Sequence, residues 1–430
     1  MARMQSVELG AVADRDQTQR PVDLFLIFAG ANIVATTLQI GAWVNGLPVP
    51  NAMAIIAAGA IAGAWLVAAL TPIGSRLRVP SIVATRAALG YHGAQIVALL
   101  LFLTNFAWIA DNNVIAASIV ARLVSGPSAD HLAAWAVVIG VVATVTVLGG
   151  PKAVGFADRF AVPTLFLSGI AMTLACLRLP LPPATATSAT VMDHVRAFDI
   201  PFGYQTTWLL MFADYSRYSR SPRAASWAAF AGLGVTALWF IPLGLLSSLI
   251  AQSQDPGAMV FGLGLGWWGG ALLLFGTLTT NFVNIYMSAL ALKSLRPATS
   301  DRTAIWLIGG LGAAMSVMNK LLIDQFANFI GILAGIFVPI GAILIAHFVL
   351  LRRTHQAADL YPGTDGSSPA VGLWSAAGMT AWVVGAAVFY LAAYPPSLLG
   401  IAAIGGTVPS FVIALVIYLA MTRPASAKSK

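Results

Sequence analysis

Apolar runs of about 20 residues recur along this chain between short polar connections, and that rhythm restricts it to a bundle of membrane-crossing helices. Barrel strands need only about 10 residues to cross. Composition agrees: of 430 residues, 59% are hydrophobic and 9% charged, whereas a soluble domain carries about 25% charge. Twelve spans are predicted, near 24–45, 51–70, 95–121, 132–149, 160–177, 200–216, 225–251, 259–292, 303–318, 326–350, 371–392 and 398–421. Pro72, Pro80, Pro151, Pro222, Pro297 and Pro362 are assigned to the connections, where a missing N–H is harmless. The first apolar run begins at Leu24 after a polar start, so no cleavable signal peptide is read. Cys176 is the single cysteine, which leaves no intrachain disulfide.

The basic residues set an orientation. Alternate connections, counted from the N-terminus, carry 19 of the 23 Lys and Arg residues. The other side holds only Arg122, Arg178, Arg196 and Lys320. By the positive-inside rule both termini are cytoplasmic, in a multi-pass protein of the inner or plasma membrane. The net charge of +8 is thereby a topology signal, and no nucleic-acid partner is expected.

One span is polar where it should be most apolar. Residues 99–123 hold Asn105, Trp108, Asp111, Asn112 and Asn113 near their middle. A carboxylate at that depth costs a few kcal/mol (about 3 on insertion scales) unless it is paired or faces water. Asn105, Trp108 and Asn112 follow helical spacing, so one face offers a flat ring and amides that donate and accept. A planar, polar, uncharged ring suits such a face.

Two other spans read as interrupted. Gly and Asn intrude in the first, at Ala29-Gly30-Ala31-Asn32-Ile33-Val34-Ala35-Thr36-Thr37. Pro, Gly and polar groups cluster in the sixth, at Ile200-Pro201-Phe202-Gly203-Tyr204-Gln205-Thr206-Thr207-Trp208. Broken helices at matching places in two halves mark a transporter's central site, and spans one and six have the offset of a five-helix inverted repeat. Span eight then corresponds to span three, and both contain a Thr-Asn-Phe triplet, Thr104-Asn105-Phe106 and Thr280-Asn281-Phe282. The adjacent hydroxyls of Thr279 and Thr280 are hard oxygen ligands suited to Na⁺, or they bond back to their own helix.

The residues resemble the nucleobase:cation symporter-1 family, which includes cytosine permeases, hydantoin transporters and allantoin or purine permeases. The resemblance runs from Gly30 to the last helices. It rests on Ala84-Thr85-Arg86-Ala87-Ala88-Leu89-Gly90-Tyr91, Trp108, Phe212-Ala213-Asp214-Tyr215-Ser216-Arg217-Tyr218 and the Thr279-Thr280-Asn281…Tyr286 run. It implies an all-α fold of twelve helices: a leucine-transporter-like 5+5 inverted repeat at 24–351 and two further helices within 352–421. Cytoplasmic tails at 1–23 and 422–430 flank them. It also implies alternating access by a monomer that imports a nucleobase or related heterocycle with Na⁺, without a resident cofactor.

Carried over by position, the resemblance places Trp108 against the ring, with Asn105 and Asn112 as polar contacts; Thr207, and Asn281 with Asn284 on one face of span eight, are further candidate contacts. Carbonyls near Gly30, Ile33 and Val34 join Thr279 and Thr280 around the ion. Three residues depart from the family pattern. Gln205 stands where an aromatic wall is expected, with Tyr204 beside it as the substitute. Gly276 replaces an asparagine of the cytosine permeases. Asp111 is an added carboxylate, which makes proton coupling the alternative to Na⁺.

Other classes fit less well. A multipass membrane enzyme needs convergent catalytic groups, and Asp111 and Asp214 are the only acidic candidates in or near spans; Asp214 reads as a local pair with Arg217. A channel needs rings of like residues or a carbonyl filter. The five histidines are scattered, and no phosphate-binding loop or metal-ligand cluster is present in the sequence.

Overall fold

The computed structural model describes residues 10–44, 46–126, 130–149, 151–182, 189–295, 298–363, 367–394 and 405–422. Among them the chain is all helical. In order the helices are α1 (Pro21–Asn32), α2 (Ala35–Ala42), α3 (Val49–Leu77), α4 (Ser81–Leu89), α5 (Tyr91–Ser125), α6 (Leu132–Leu148), α7 (Pro151–Arg178) and α8 (Val191–Thr206). They continue as α9 (Pro222–Ala251), α10 (Pro256–Gly262), α11 (Gly266–Leu295), α12 (Asp301–Met315), α13 (Asn319–Asp324), α14 (Phe326–Leu344), α15 (Ala376–Ala393) and α16 (Thr407–Met421). Seven helices of the described residues are long and apolar enough to cross a membrane, and α1 with α2 forms an eighth span bent by 57°. The shorter α6, α16 and the 163–178 part of α7 are also apolar.

The break in the first span lies where the sequence places it. Asn32 ends α1, Ile33 and Val34 leave helical geometry, and Val34 is extended at φ −135° and ψ 160°. The Thr37 hydroxyl donates to the Asn32 carbonyl at 2.7 Å, replacing one backbone bond that the break removes.

The sixth span differs from expectation at both ends. It starts at Val191, because Thr190 and Asp193 form a reciprocal capping box there. It stays α-helical through Pro201 to Thr206 and only then tightens into a 3₁₀ stretch, Thr207–Met211. The loosening therefore begins near the end of the predicted interruption. At this point the Thr206 and Thr207 hydroxyls donate to the carbonyls of Gly203 and Tyr204, each at 2.7 Å.

Other boundaries shift for local reasons. Asp255 caps α10 by accepting from the Gly257 and Ala258 amides, and Gly264 and Gly266 turn with φ of 73° and 55°, a region glycine enters without strain. The eighth span thus starts at Gly266. The eleventh starts at Ala376, behind a Ser375 cap. Residues 398–404 of the predicted twelfth span, and Pro297, lie outside the described residues.

Pro72 corrects the proline assignment: it sits inside α3. A proline leaves the carbonyl four residues back without its donor, here that of Ala68. The Ser226 hydroxyl on α9 donates to that carbonyl at 2.7 Å. Neighbouring-helix hydroxyls re-satisfy the backbone in this way when a proline enters a membrane helix.

Two groups of helices emerge. α1, α2 and α3 pack around α9, with α8 against α3, while α5 packs with α6, α11 and α12. Lipid removes most of the hydrophobic drive between helices, so close backbone approach must hold them. It does so at Gly41 and Gly244. A Cβ on Gly41 would stand 1.8 Å from the Ile241 carbonyl oxygen, and one on Gly244 would stand 1.9 Å from that of Leu38.

Candidate substrate and ion site

The aromatic core of the site is built where α5 meets α8 and α14. Trp108 is ringed edge-on by Phe329 at 5.2 Å, Phe326 at 6.0 Å and Tyr204 at 6.3 Å between centroids. Edge-on aromatic pairs are favourable beyond their buried area and hold the indole in one orientation. The Tyr204 hydroxyl meets that of Thr37 at 2.6 Å, so α8 is tied to α2 just past the break in the first span. Phe326 and Phe329 were not legible as site residues, since only folding brings α14 against α5.

A buried polar group adjoins these rings. Asp111 is 1% exposed and Gln39 fully buried, and their side chains lie within interaction reach of each other, although no hydrogen bond of ordinary geometry joins them. Tyr204 feels the Asp111 carboxyl across the same space. The Thr36-Thr37-Leu38-Gln39 run directly after the break was the sequence signal for this side, and Gln39 was missed because it reads as one polar residue in an apolar helix.

The remaining predicted residues divide among neighbouring seams. Asn112 folds its amide back to the Trp108 carbonyl at 2.8 Å. Asn105 points away from the rings, to Ser288 and the Asn284 carbonyl on α11. Asn281 donates to Asn113 at 2.7 Å, and Asn113 donates to Ser316 at 3.0 Å. The amides of Asn105 and Asn281 and the Asn284 backbone thus lie along the seam of α5 with α11, apart from the aromatic group. Gln205 is fully buried and faces α9, donating to the Leu233 carbonyl at 3.4 Å. Asn32 donates to that same carbonyl at 3.0 Å.

The threonines of α11 bond along their own helix. Thr279 donates to the carbonyls of Phe275 and Gly276, at 3.0 and 2.9 Å, and Thr280 to that of Gly276 at 2.9 Å. A hydroxyl that points its hydrogen at a carbonyl in this way keeps its lone pairs for a cation. Ile33 and Val34 belong to the same apolar cluster as Leu273 of α11, so the break and α11 share a neighbourhood.

A family described as permease for cytosine/purines, uracil, thiamine and allantoin matches residues 11–417. The chain belongs to this permease family. It is a transporter and not an enzyme. A Bacillus subtilis (strain 168) protein named "Putative purine-cytosine permease YxlA" is 24% identical over 366 residues, covering 80% of this chain and 78% of that one. Among solved structures, the inward-facing conformation of Mhp1 superposes with a TM-score of 0.75 at 19% identity, covering 96% of this chain and 92% of that one. Mhp1 in a closed conformation with bromovinylhydantoin bound, described as a nucleobase-cation-symport-1 family transporter, gives 0.72 at 18% identity over 96% and 94%. The fold of the permease is therefore the leucine-transporter-like one that the family resemblance implies.

The start of α4, three residues before the Ala84–Tyr91 element, meets the Phe212–Tyr218 element in the permease. Ser81, at the start of α4, donates to the Asp214 carboxylate at 2.5 Å and accepts from the Ala213 amide at 2.8 Å. Arg86 donates to the Leu360 carbonyl at 3.0 Å and lies over the rings of Tyr91 and Tyr361, at 4.5 and 5.4 Å. Burial lowers the Arg86 pKa from its usual value, and the two tyrosines partly restore it. The Ser81 contacts join the connection after α3 to the end of the sixth span, and the Arg86 contacts join it to the segment before α15. Their role is to fasten helix ends, since they touch neither ring group nor break.

Proposed function

We propose that this permease imports a nucleobase or related small planar heterocycle by Na⁺ symport with alternating access, as a monomer with both termini in the cytoplasm. The substrate range is cytosine-like pyrimidines, purines, hydantoins and hydroxymethylpyrimidines. The observation that carries the reading is the Trp108 indole, held by Tyr204, Phe326 and Phe329 beside the break between α1 and α2. The heterocycle stacks on Trp108, with Tyr204 as a second aromatic wall and the hydroxyls of that region closing its edges.

Na⁺ takes the carbonyls of Gly30, Ile33 and Val34, at and just before the break, together with the lone pairs of Thr279 and Thr280; the Val34 carbonyl, which accepts from the Thr37 amide at 3.0 Å, offers its second lone pair. Each occupant then strengthens the other's binding by the same factor. The test is uptake into proteoliposomes under a Na⁺ gradient at fixed pH, against uptake under a pH gradient without Na⁺. Sodium drive, weakened by Thr279→Val or Thr280→Val, supports the assignment. Uptake driven only by the pH gradient and abolished by Asp111→Asn replaces it with proton coupling.

A further inference from the structure

The polar end of the central site has its own chemistry. No hydrogen bond of ordinary geometry reaches either oxygen of the Asp111 carboxyl or either amide atom of Gln39, and the two buried side chains lie within interaction reach of each other. Polar groups kept only for packing are normally satisfied, because each orphaned group costs about 1–3 kcal/mol. The charged groups facing Asp111 do not neutralise it. Tyr204 on α8 is a neutral phenol that binds Thr37, and Asp255, at the start of α10, is acidic. Arg122, further along α5, lies 3.5 Å from Asp255, which also takes a hydrogen bond from Ser118. What the pair presents is therefore two carboxyl oxygens, ionised once donors from a ligand fill the site, next to an amide that can donate.

Trp108 lies one turn before Asp111 on α5 and Tyr204 adjoins both, so a ring stacked on the indole can turn an edge toward the pair. We propose that Asp111 and Gln39 read that edge, and that the substrate carries an acceptor–donor–donor face: a ring carbonyl, the adjacent ring N–H and a 2-amino group. The carboxylate accepts from the N–H and the amino group together, and the Gln39 amide donates to the carbonyl. A 2-amino-oxopyrimidine or 2-amino-oxopurine has this face. Uracil and hydantoin place a carbonyl where the amino group is needed, and 4-pyrimidinone has no group there. The inference rests on the proposed function and adds the choice among its substrates.

The test uses the full chain in detergent with Na⁺ present, and equilibrium binding of isocytosine, 4-pyrimidinone and uracil. The wild type should bind isocytosine at least about tenfold tighter than 4-pyrimidinone, the effect of one hydrogen bond to a charged group. Uracil should bind weaker still, since its carbonyl meets a carboxylate. Asp111→Asn should erase most of the isocytosine preference and improve uracil, because an asparagine amide can donate. The wild-type preference decides even if that variant fails to fold. Equal binding of isocytosine and 4-pyrimidinone overturns the inference and leaves heterocycle transport standing. So does an Asp111→Asn protein with unchanged ring preference and lost Na⁺ or pH dependence, which assigns Asp111 to the coupling ion. Binding of no heterocycle at all overturns both.

Discussion

The Tyr204 hydroxyl and the Thr37 hydroxyl meet at 2.6 Å, linking the sixth span to the far side of the break in the first. Hydrogen bonds between membrane helices average about 0.6 kcal/mol and reach about 1.7. Tyr204→Phe removes this one and keeps the ring. Purified protein should melt a few degrees lower or less, with substrate affinity reduced less than by Tyr204→Ala. Equal losses in both variants would show that the hydroxyl, and not the ring, carries the contact to substrate.

Trp108 should be the stacking wall. Base–aromatic stacking is worth about 1–3 kcal/mol, so Trp108→Ala should weaken binding about 5- to 150-fold, and Trp108→Phe should keep much of it. Titration of a binding heterocycle against both folded variants checks this. Unchanged affinity in Trp108→Ala would move the site off this face of α5.

Much of this was legible in the sequence, for identifiable reasons. The break at Ile33 and Val34 was visible because Gly30 and Asn32 interrupt an otherwise apolar run. Trp108 and Asp111 stood out because their polarity contradicts membrane depth. The grouping of the asparagines was not legible. Asn105 is three residues from Trp108, yet a rotation of about 60° around α5 is enough to aim it at Ser288 instead of the rings. Pro72 looked like a boundary because its compensating donor, Ser226, is 158 residues away.

Pro72 and Ser226 give a test of that compensation. Ser226→Ala leaves the Ala68 carbonyl without its donor, at a cost of about 1–3 kcal/mol. Pro72→Ala supplies an N–H that can close the ordinary helical bond, so the serine change should cost little in that background. A double-mutant cycle of thermal stability reads the difference. Additive effects would show that Ser226 contributes packing only.

Gly41 and Gly244 should tolerate no side chain. Each would drive a Cβ to within 2 Å of a backbone oxygen, 1.8 and 1.9 Å respectively, whereas one on Gly234 would meet only Ala64 Cβ at 3.7 Å. Gly41→Ala and Gly244→Ala should therefore reduce folded yield sharply, and Gly234→Ala should express normally. Size-exclusion profiles of the three variants decide. A monodisperse Gly41→Ala protein would mean that α2 and α9 are not held this closely.

Transport itself is the central claim, and counterflow measures it most directly. Proteoliposomes holding the full chain are loaded with unlabelled heterocycle, given Na⁺ on both sides, and diluted into trace labelled compound. The account predicts transient accumulation of label above its equilibrium level for at least one pyrimidine, purine or hydantoin, and its loss in Trp108→Ala. Label uptake equal to that of protein-free liposomes for every such ring, with correctly folded protein in the bilayer, would contradict it.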